Sequence, residues 1–332
     1  MMQLKRTLLT LLLSHLVIVM LILIITCVYI LPSTKTYSMR LSGINSIAKL
    51  RPRILKHHRG TFTLHAFYKN GENDNYSNTN KQNDMWLCNN CSTDPSFGIL
   101  SRQFQNCAVV GNGGILTNSH CGKEIDSMDF VLRFNMAALK GYRDDVGFKT
   151  TIMSINRQGL GQAIGKFKSA PDIIMNETFQ ERLYSLPKNT ILWHCKRTGD
   201  SRDYLRTMYD ILNRTKHQHN GLRLAFSTHG SDIGMPTSKT WNIPNPTSGL
   251  LGFTFATTIC NKISMYGFYP FNKDAKNNPL ANHYYETGRF KSVIRHVYNR
   301  EYALFKDLNR TGAIRLVTSQ CSYGNNNTNS VD

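Results

Sequence analysis

Between residues 85 and 322, short apolar runs alternate with helical stretches, and this alternation limits the possible folds more than any other feature. "CAVVG" (107–111), "FVLRFNMA" (130–137), "TTIMSIN" (150–156), "DIIM" (172–175), "TILWHC" (190–195), "LRLAFST" (222–228), "ISMYGFYPF" (263–271) and "AIRLVTS" (313–319) read as strands. "DSRDYLRTMYDILNRT" (200–215), "TSGLLGFTFATTICNK" (247–262) and "REYALFKDLNRTG" (300–312) read as helices. Strands that alternate with helices predict an α/β domain with a mostly parallel sheet flanked by helices. Ligands of such sheets sit at the carboxyl ends of the strands.

The formal charge of +19 over 332 residues calls for an anionic partner. No zinc-finger spacing, RNA-binding strand motif or basic helix with heptads accompanies it. A nucleic acid is therefore not the expected partner; a membrane surface or acidic small molecules remain. Residues 8–31, "LLTLLLSHLVIVMLILIITCVYIL", carry no Asp, Glu, Lys or Arg. At ~1.5 Å per residue they can cross a bilayer core of ~30 Å. The run exceeds the roughly 7–15 residues of a signal-peptide core, and no A-x-A-like site follows, so it reads as an uncleaved signal anchor behind a cytoplasmic tail at 1–7. Lys35, Arg40, Lys49 and Arg51 follow the span, so the positive-inside count does not favour a cytoplasmic N-terminus. Two features do. Sequons at Asn75, Asn90, Asn176, Asn213, Asn309 and Asn326 all lie beyond the span, as do seven of the eight cysteines. The expected layout is a single-pass type II membrane protein with a lumenal body.

Residues 32–84 show little core. "RPRILKHHRG" (51–60) is basic, and "YKNGENDNYSNTNKQND" (68–84) is almost wholly polar. The segment reads as a flexible stem, its basic part either resting on anionic headgroups or solvated. The body is expected at 85–322 and a disordered tail at 323–332.

Three blocks carry candidate chemistry. In "CAVVGNGGIL", a strand runs into a glycine turn. Gly111, Gly113 and Gly114 permit positive φ and close approach of backbone to a ligand. The spacing is neither G-x-G-x-x-G nor a Walker loop. After "FVLRF" a dinucleotide enzyme would place an acid for the ribose, and this chain has Asn135, which argues against NAD. Asn112 and Asn135 either offer amides to a base, ribose or sugar, or only form the turns. In "NPTSGLLGFTFATTIC", Thr247, Ser248 and Gly249 open an apolar helix. The hydroxyls can cap it, and its free N–H groups can bind an anion. Tyr269 falls where the following strand leaves the sheet and either stacks on a ligand or packs in the core. In "NHYYETGRFKSVIRHVYNREY", His283 and His296 are each followed by a glutamate, Glu286 and Glu301, a pattern suited to acid/base work. H-E-x-x-H is absent, and so is Asp-x-Asp in the globular part. No metal or other cofactor is expected.

Taken together these blocks resemble the eukaryotic sialyltransferases, glycosyltransferase family 29, and most closely the α2,8-sialyltransferase branch. "CAVVGNGGILTNSHCGKEIDSMDFVLRFNMA" is similar to the family's large motif and "PTSGLLGFTFATTICNKISMYGFYPF" to its small motif. "HYYE" (283–286) is similar to the third motif, and His296-x-x-x-x-Glu301 to the very small motif. The resemblance covers about 85–321.

The resemblance implies a GT-A-like Rossmann variant that uses CMP-N-acetylneuraminate without metal. It implies Asn112, Asn135, Thr247, Ser248, Gly249 and Tyr269 in donor binding, His283 at the donor phosphate and His296 as general base. Glu301 would either orient a catalytic group or brace its helix. It also implies two disulfides, Cys107–Cys260 and Cys121–Cys321. The implied reaction is inverting transfer to the 8-hydroxyl of a terminal sialic acid on a glycolipid or glycoprotein glycan, at the Golgi membrane. Phe134, Thr247-Ser248 and Tyr269 depart from the Cys, Ser-Thr and Trp common in that branch, which bears on acceptor preference.

The rival expectations are transfer to galactose or N-acetylgalactosamine, and an inactive sialoglycan-binding membrane protein. Residues 196–223 are basic but broken by Asp200, Asp203 and Asp210, which points to one or a few transfers rather than long chains. Cys195 is left unassigned, and Cys88-x-x-Cys91 either pairs locally or links two chains as a homodimer.

Overall fold

A computed structural model describes residues 14–21, 41, 43–58, 64–66, 102–156, 159, 177–195, 202–219, 221–227, 233–289 and 296–321. The chain divides into two units, Met1–Ile44 and Asn45–Asp332. In the first unit, residues 14–21 form an exposed helix. Among the described residues no helix is long and apolar enough to cross a membrane, and most of the expected span at 8–31 lies outside them. The tail at 323–332, the strand expected at 172–175, Cys88, Cys91 and the sequons at Asn75, Asn90, Asn176 and Asn326 also lie outside the described residues.

The second unit is built on a sheet of β1 (Leu64–Ala66), β2 (Phe104–Val110), β3 (Phe130–Phe134), β4 (Ile152–Ser154), β5 (Ile191–His194), β6 (Arg223–Ser227), β7 (Cys260–Tyr266) and β8 (Arg315–Val317). Its helices are α1 (Ile47–His58), α2 (Gly122–Ser127), α3 (Arg143–Val146), α4 (Glu177–Tyr184), α5 (Arg202–Arg214), α6 (Gly234–Trp241), α7 (Ser248–Ile259) and α8 (Tyr298–Arg310). The strand order is β1-β6-β5-β4-β3-β2-β7-β8. Every pairing is parallel except β1 with β6. The expected α/β class therefore holds. β3, β4 and β5 are buried at every position, as parallel strands covered on both faces must be, and they read as unbroken apolar runs for that reason.

From β2 the chain winds outward through β3, β4, β5 and β6, then returns to place β7 on the other side of β2. The order reverses between β2 and β7, and in open α/β sheets the crevice beyond such a reversal is where ligands bind.

Two of the expected strands and one expected helix end three or more residues early. The 130–137 run stops at Phe134, because Asn135 and Met136 both take left-handed backbone (φ 55° and 54°). The 263–271 run leaves the sheet after Tyr266, at Gly267 (φ 74°). The helix expected to reach residue 262 ends at Ile259. Cys260 is extended, caps the helix through its N–H to the Ala256 carbonyl, and begins β7. Ten of the twelve α7 residues are buried, so this helix is apolar all round and shows no stripe from which to read its end.

Both expected disulfides are present. Cys107–Cys260 ties β2 to β7 across 153 residues, and Cys121–Cys321 ties the N-cap of α2 to the segment after β8 across 200. Closing loops of this length constrains the unfolded chain by roughly 3–5 kcal/mol each in the chain-entropy account. Cys195 is buried just beyond β5, and the Ser154 hydroxyl lies 3.4 Å from its sulfur.

The stem expected at 32–84 is corrected in two places. α1 is an amphipathic helix whose Ile47, Leu50, Ile54 and His58 are buried, spaced 3, 4 and 4 residues apart, and β1 pairs with the sheet edge. The Arg51 guanidinium donates to the carbonyls of Thr257 and Cys260, the open C-terminal end of α7. Dense positive charge hid a helical period.

Burial, aided by the neighbouring His57 charge, pulls the His58 imidazole from 6.5 down to about 4. The unfolded chain therefore takes up this proton first. The stability that neutral His58 contributes is complete above pH 6.5 and is lost as pH falls toward 4. Melting temperature measured across that window should fall with pH in the wild type. It should fall less in His58→Gln, by a difference worth about 1–3 kcal/mol. Parallel curves would refute this.

Candidate active site

A cleft of about 500 Å³ opens at the carboxyl ends of β2, β3 and β7. Asn112, Asn135, Thr247, Ser248, Gly249, Tyr269, His283, His296 and Glu301 all line it. Nine residues spread over 190 positions of sequence thus converge on one site.

The floor is a crossing of two glycine turns. Gly111 N–H donates to the Tyr266 carbonyl (2.7 Å), and Gly113 N–H to the Gly267 carbonyl (3.0 Å). A Cβ on Gly113 would stand 2.6 Å from the Gly267 oxygen, and one on Gly111 2.9 Å from it. A Cβ on Gly114 would meet the Ala281 carbonyl at 2.1 Å. None of these three glycines has positive φ, so the left-handed freedom they permit is not used here. They are glycines because other backbone passes against them. The Ala281–Glu286 segment is then laid over the turn. Tyr284 N–H donates to the Asn112 carbonyl (3.1 Å), and Gly113 and His283 form an isolated antiparallel bridge.

Asn112 Nδ2 donates to the Phe134 carbonyl (3.1 Å), tying the ends of β2 and β3. Asn135 Oδ1 accepts from Asn156 N–H (3.2 Å), which leaves its Nδ2 donor available to the cleft. Asn112 thus shapes the site, and Asn135 shapes it with a donor to spare.

Thr247 is the N-cap of α7, its Oγ1 accepting from Leu250 N–H (3.2 Å). Glu301, only 4% exposed, grips it twice: Oε1 accepts from Thr247 N–H (2.8 Å) and Oε2 from the Thr247 hydroxyl (2.6 Å). Glu301, carried on α8, therefore braces the start of α7. With the Thr247 hydroxyl committed, the groups α7 offers the cleft are the N–H groups of Ser248 and Gly249, which precede any intrahelical acceptor. Gly249 has a packing reason as well, since a Cβ there would lie 2.5 Å from the Phe268 ring. Phe134, Phe268 and Phe305 make edge-on contacts under the site, with Phe134 filling the space beside Gly252.

His296 Nδ1 lies 2.6 Å from the Asn245 carbonyl, which can only accept. In the neutral ring the proton is therefore on Nδ1 and the lone pair on Nε2. His283 Nδ1 lies 2.7 Å from Glu286 Oε2, and its ring stacks on Tyr285 at 5.3 Å and 18°. Burial and the Glu286 charge push the Tyr285 phenol up to about 12, so it stays protonated at neutral pH. Tyr269 packs edge-on against Phe271 (4.9 Å) and Tyr302 (5.7 Å) in an aromatic cluster at the cleft. Among the described residues no group of three or more His, Cys, Asp or Glu is set to hold a metal ion.

Asn156, Arg182, Tyr285 and Tyr302 also line the cleft and were not singled out from sequence. Tyr285 lies inside the quoted "HYYE", and Asn156 ends a predicted strand. Arg182 sits in a short helix with no motif around it.

The signature of glycosyltransferase family 29 (sialyltransferase) matches residues 55–313, and the chain belongs to that family. It is 30% identical over 226 residues to the alpha-2,8-sialyltransferase 8F of Pan troglodytes and 29% to that of Homo sapiens. Each match covers 66% of this chain and 54% of the relative, so the chain spans about half the length of the curated relatives it matches. Two crystal structures of a mammalian sialyltransferase, one in complex with Gal-beta-1-3GalNAc-ortho-nitrophenol, are 21% and 20% identical. Their TM-scores are 0.44 and 0.43, over 87% of this chain and 86% of theirs.

The Glu301 clamp is testable. Glu301→Ala strands the Thr247 N–H and hydroxyl, and urea unfolding should show a loss of about 1–3 kcal/mol, with Glu301→Gln losing less. An unchanged midpoint for Glu301→Ala would remove the clamp from the account.

Proposed function

We propose that this protein is an inverting, metal-independent α2,8-sialyltransferase. In this reading it moves sialic acid from CMP-N-acetylneuraminate to the 8-hydroxyl of a terminal sialic acid on a glycolipid or glycoprotein glycan. The body is a GT-A-like Rossmann variant held in the Golgi lumen by an N-terminal anchor. The observation that carries the reading is His296: its Nδ1–H is fixed on a main-chain carbonyl and its Nε2 lone pair belongs to the same cleft as the open N-terminus of α7.

The chemistry follows from those groups. The acceptor hydroxyl attacks the anomeric carbon of the donor from the face opposite CMP. As the new C–O bond forms, His296 Nε2 takes the hydroxyl proton, and the bond from the anomeric carbon to the phosphate oxygen breaks. Negative charge grows on the departing phosphate. The Ser248 and Gly249 N–H groups, with the positive end of α7, are suited to receive it, as is His283 held by Glu286. Asn135 Nδ2 and the Tyr269 ring supply donor contacts in this reading. Substrates that carry carboxylates and a phosphate also suit a chain with a charge of +19. The similarity to alpha-2,8-sialyltransferase 8F supports the linkage.

Purified protein mixed with CMP-sialic acid and a panel of sialylated and asialo acceptors should release CMP only with the sialylated ones, at a rate a chelator leaves unchanged. His296→Ala should lower kcat by about 10²–10⁴-fold while leaving the fold intact by circular dichroism. Near-normal transfer by that variant would end the base assignment, and release with galactose-terminated acceptors would end the α2,8 reading.

A further inference from the structure

Arg182 lines the same cleft and takes no part in the transfer chemistry above. It comes from α4, whose Phe179 and Leu183 are buried and hold the helix in place. The guanidinium carbon sits 4.7 Å from the centre of the Tyr285 ring, and Nη1 donates to the Met136 carbonyl at 3.3 Å. Tyr285 is itself fixed, stacked on His283 and edge-on to Tyr284 at 4.9 Å. The neighbouring acid, Glu181, is engaged on the surface by Lys140 at 3.0 Å. The ion pairs among the described residues do not include Arg182.

A guanidinium has five N–H donors in a rigid fork. Here Met136 takes one, and the guanidinium carbon stands over the Tyr285 ring. A partly buried arginine that opens into a concave site also lined by Asn135 and Asn156 is suited to bidentate pairing with a carboxylate. Phosphate charge already has its receptors in His283 and the α7 N-terminus. The groups left over in the proposed substrates are the C1 carboxylates of the donor and acceptor sugars.

We propose that Arg182 is the carboxylate anchor of the cleft, pairing with the C1 carboxylate of a sialic acid and setting a preference for the charged over the neutral sugar. The proposal rests on the sialyl-transfer reading for the identity of the ligand. Tyr285 acts as a positioning residue that holds the fork.

The test compares wild type, Arg182→Met and Arg182→Lys, each checked for wild-type melting temperature. Free-acid substrates are compared with their C1 methyl esters, varied separately in the acceptor and in the CMP-linked donor. Esterifying the recognised carboxylate should cost the wild type about tenfold or more in kcat/KM, carried mainly by KM. Arg182→Met should lose a similar factor with the free acid and nothing further with the ester. Arg182→Lys should recover part of it. The arm in which the two losses fail to add identifies the carboxylate as the donor's or the acceptor's. Equal losses on acid and ester in both arms, or no loss at all, would overturn the proposal. Should the wild type release no CMP with any acceptor, the sialyl-transfer reading fails separately. Saturation-transfer NMR with methyl sialoside then decides on Arg182 alone: binding that Arg182→Met abolishes upholds the anchor, and binding that it leaves unchanged, or none to the wild type, refutes it.

Discussion

The cleft depends on one contact between two stretches of main chain. Where β2 and β7 end, the turn at Gly111–Gly113 crosses the turn at Gly267 closely enough that a single methyl group at Gly113 would collide with a carbonyl oxygen. That crossing sets the floor, and each neighbouring part of the site is placed by reference to it. The His283 segment lies on top of it and is pinned by Tyr284 to Asn112. Asn112 reaches sideways and ties it to β3. α7 packs against the rings that follow Gly267, with Gly249 admitting the Phe268 edge. Remove the crossing and the three blocks of sequence that make the site lose their common reference.

A second layer of control is electrostatic and operates through orientation rather than exposure. Both cleft histidines are held at Nδ1, but by different partners. A neutral carbonyl holds His296 and a carboxylate holds His283. A carbonyl can only accept, so it fixes which ring nitrogen of His296 carries the proton, whereas His283 has a carboxylate at the same ring position. The same residue type thereby stands in two different settings within one cleft. Glu301 grips an N-cap, and a buried carboxylate at the start of a helix is where the helix dipole welcomes it.

Much of this architecture was legible in the order of residues. Buried parallel strands produce unbroken apolar runs such as "FVLRF" and "TILWHC", and these were readable. The ends of elements were less so. Asn135 and Met136 adopt left-handed backbone that neither residue demands, and α7 passes into β7 without an intervening loop. The glycines in "GNGG" announce a constraint but not its cause, because segments distant in sequence, at Gly267 and Ala281, supply the obstructing carbonyls. α1 was hidden by lysines and arginines between its buried positions, and Arg51 contributes by donating to carbonyls two hundred residues away. The site residues were legible through their resemblance to ordered family motifs. Arg182 belongs to no motif, and only the folding of α4 toward Tyr285 gives it a place.

The Cys107–Cys260 bridge joins the middle of β2 to the first residue of β7, while the glycine crossing joins the two strands where they finish. Two ribbons fastened at two separate points cannot slide past each other. The floor of the cleft is therefore a fixed anvil, and any induced fit must come from the pieces resting on it: the tyrosine-bearing segment above the turn, the side chains of α8, and the swing of a guanidinium on its aromatic support.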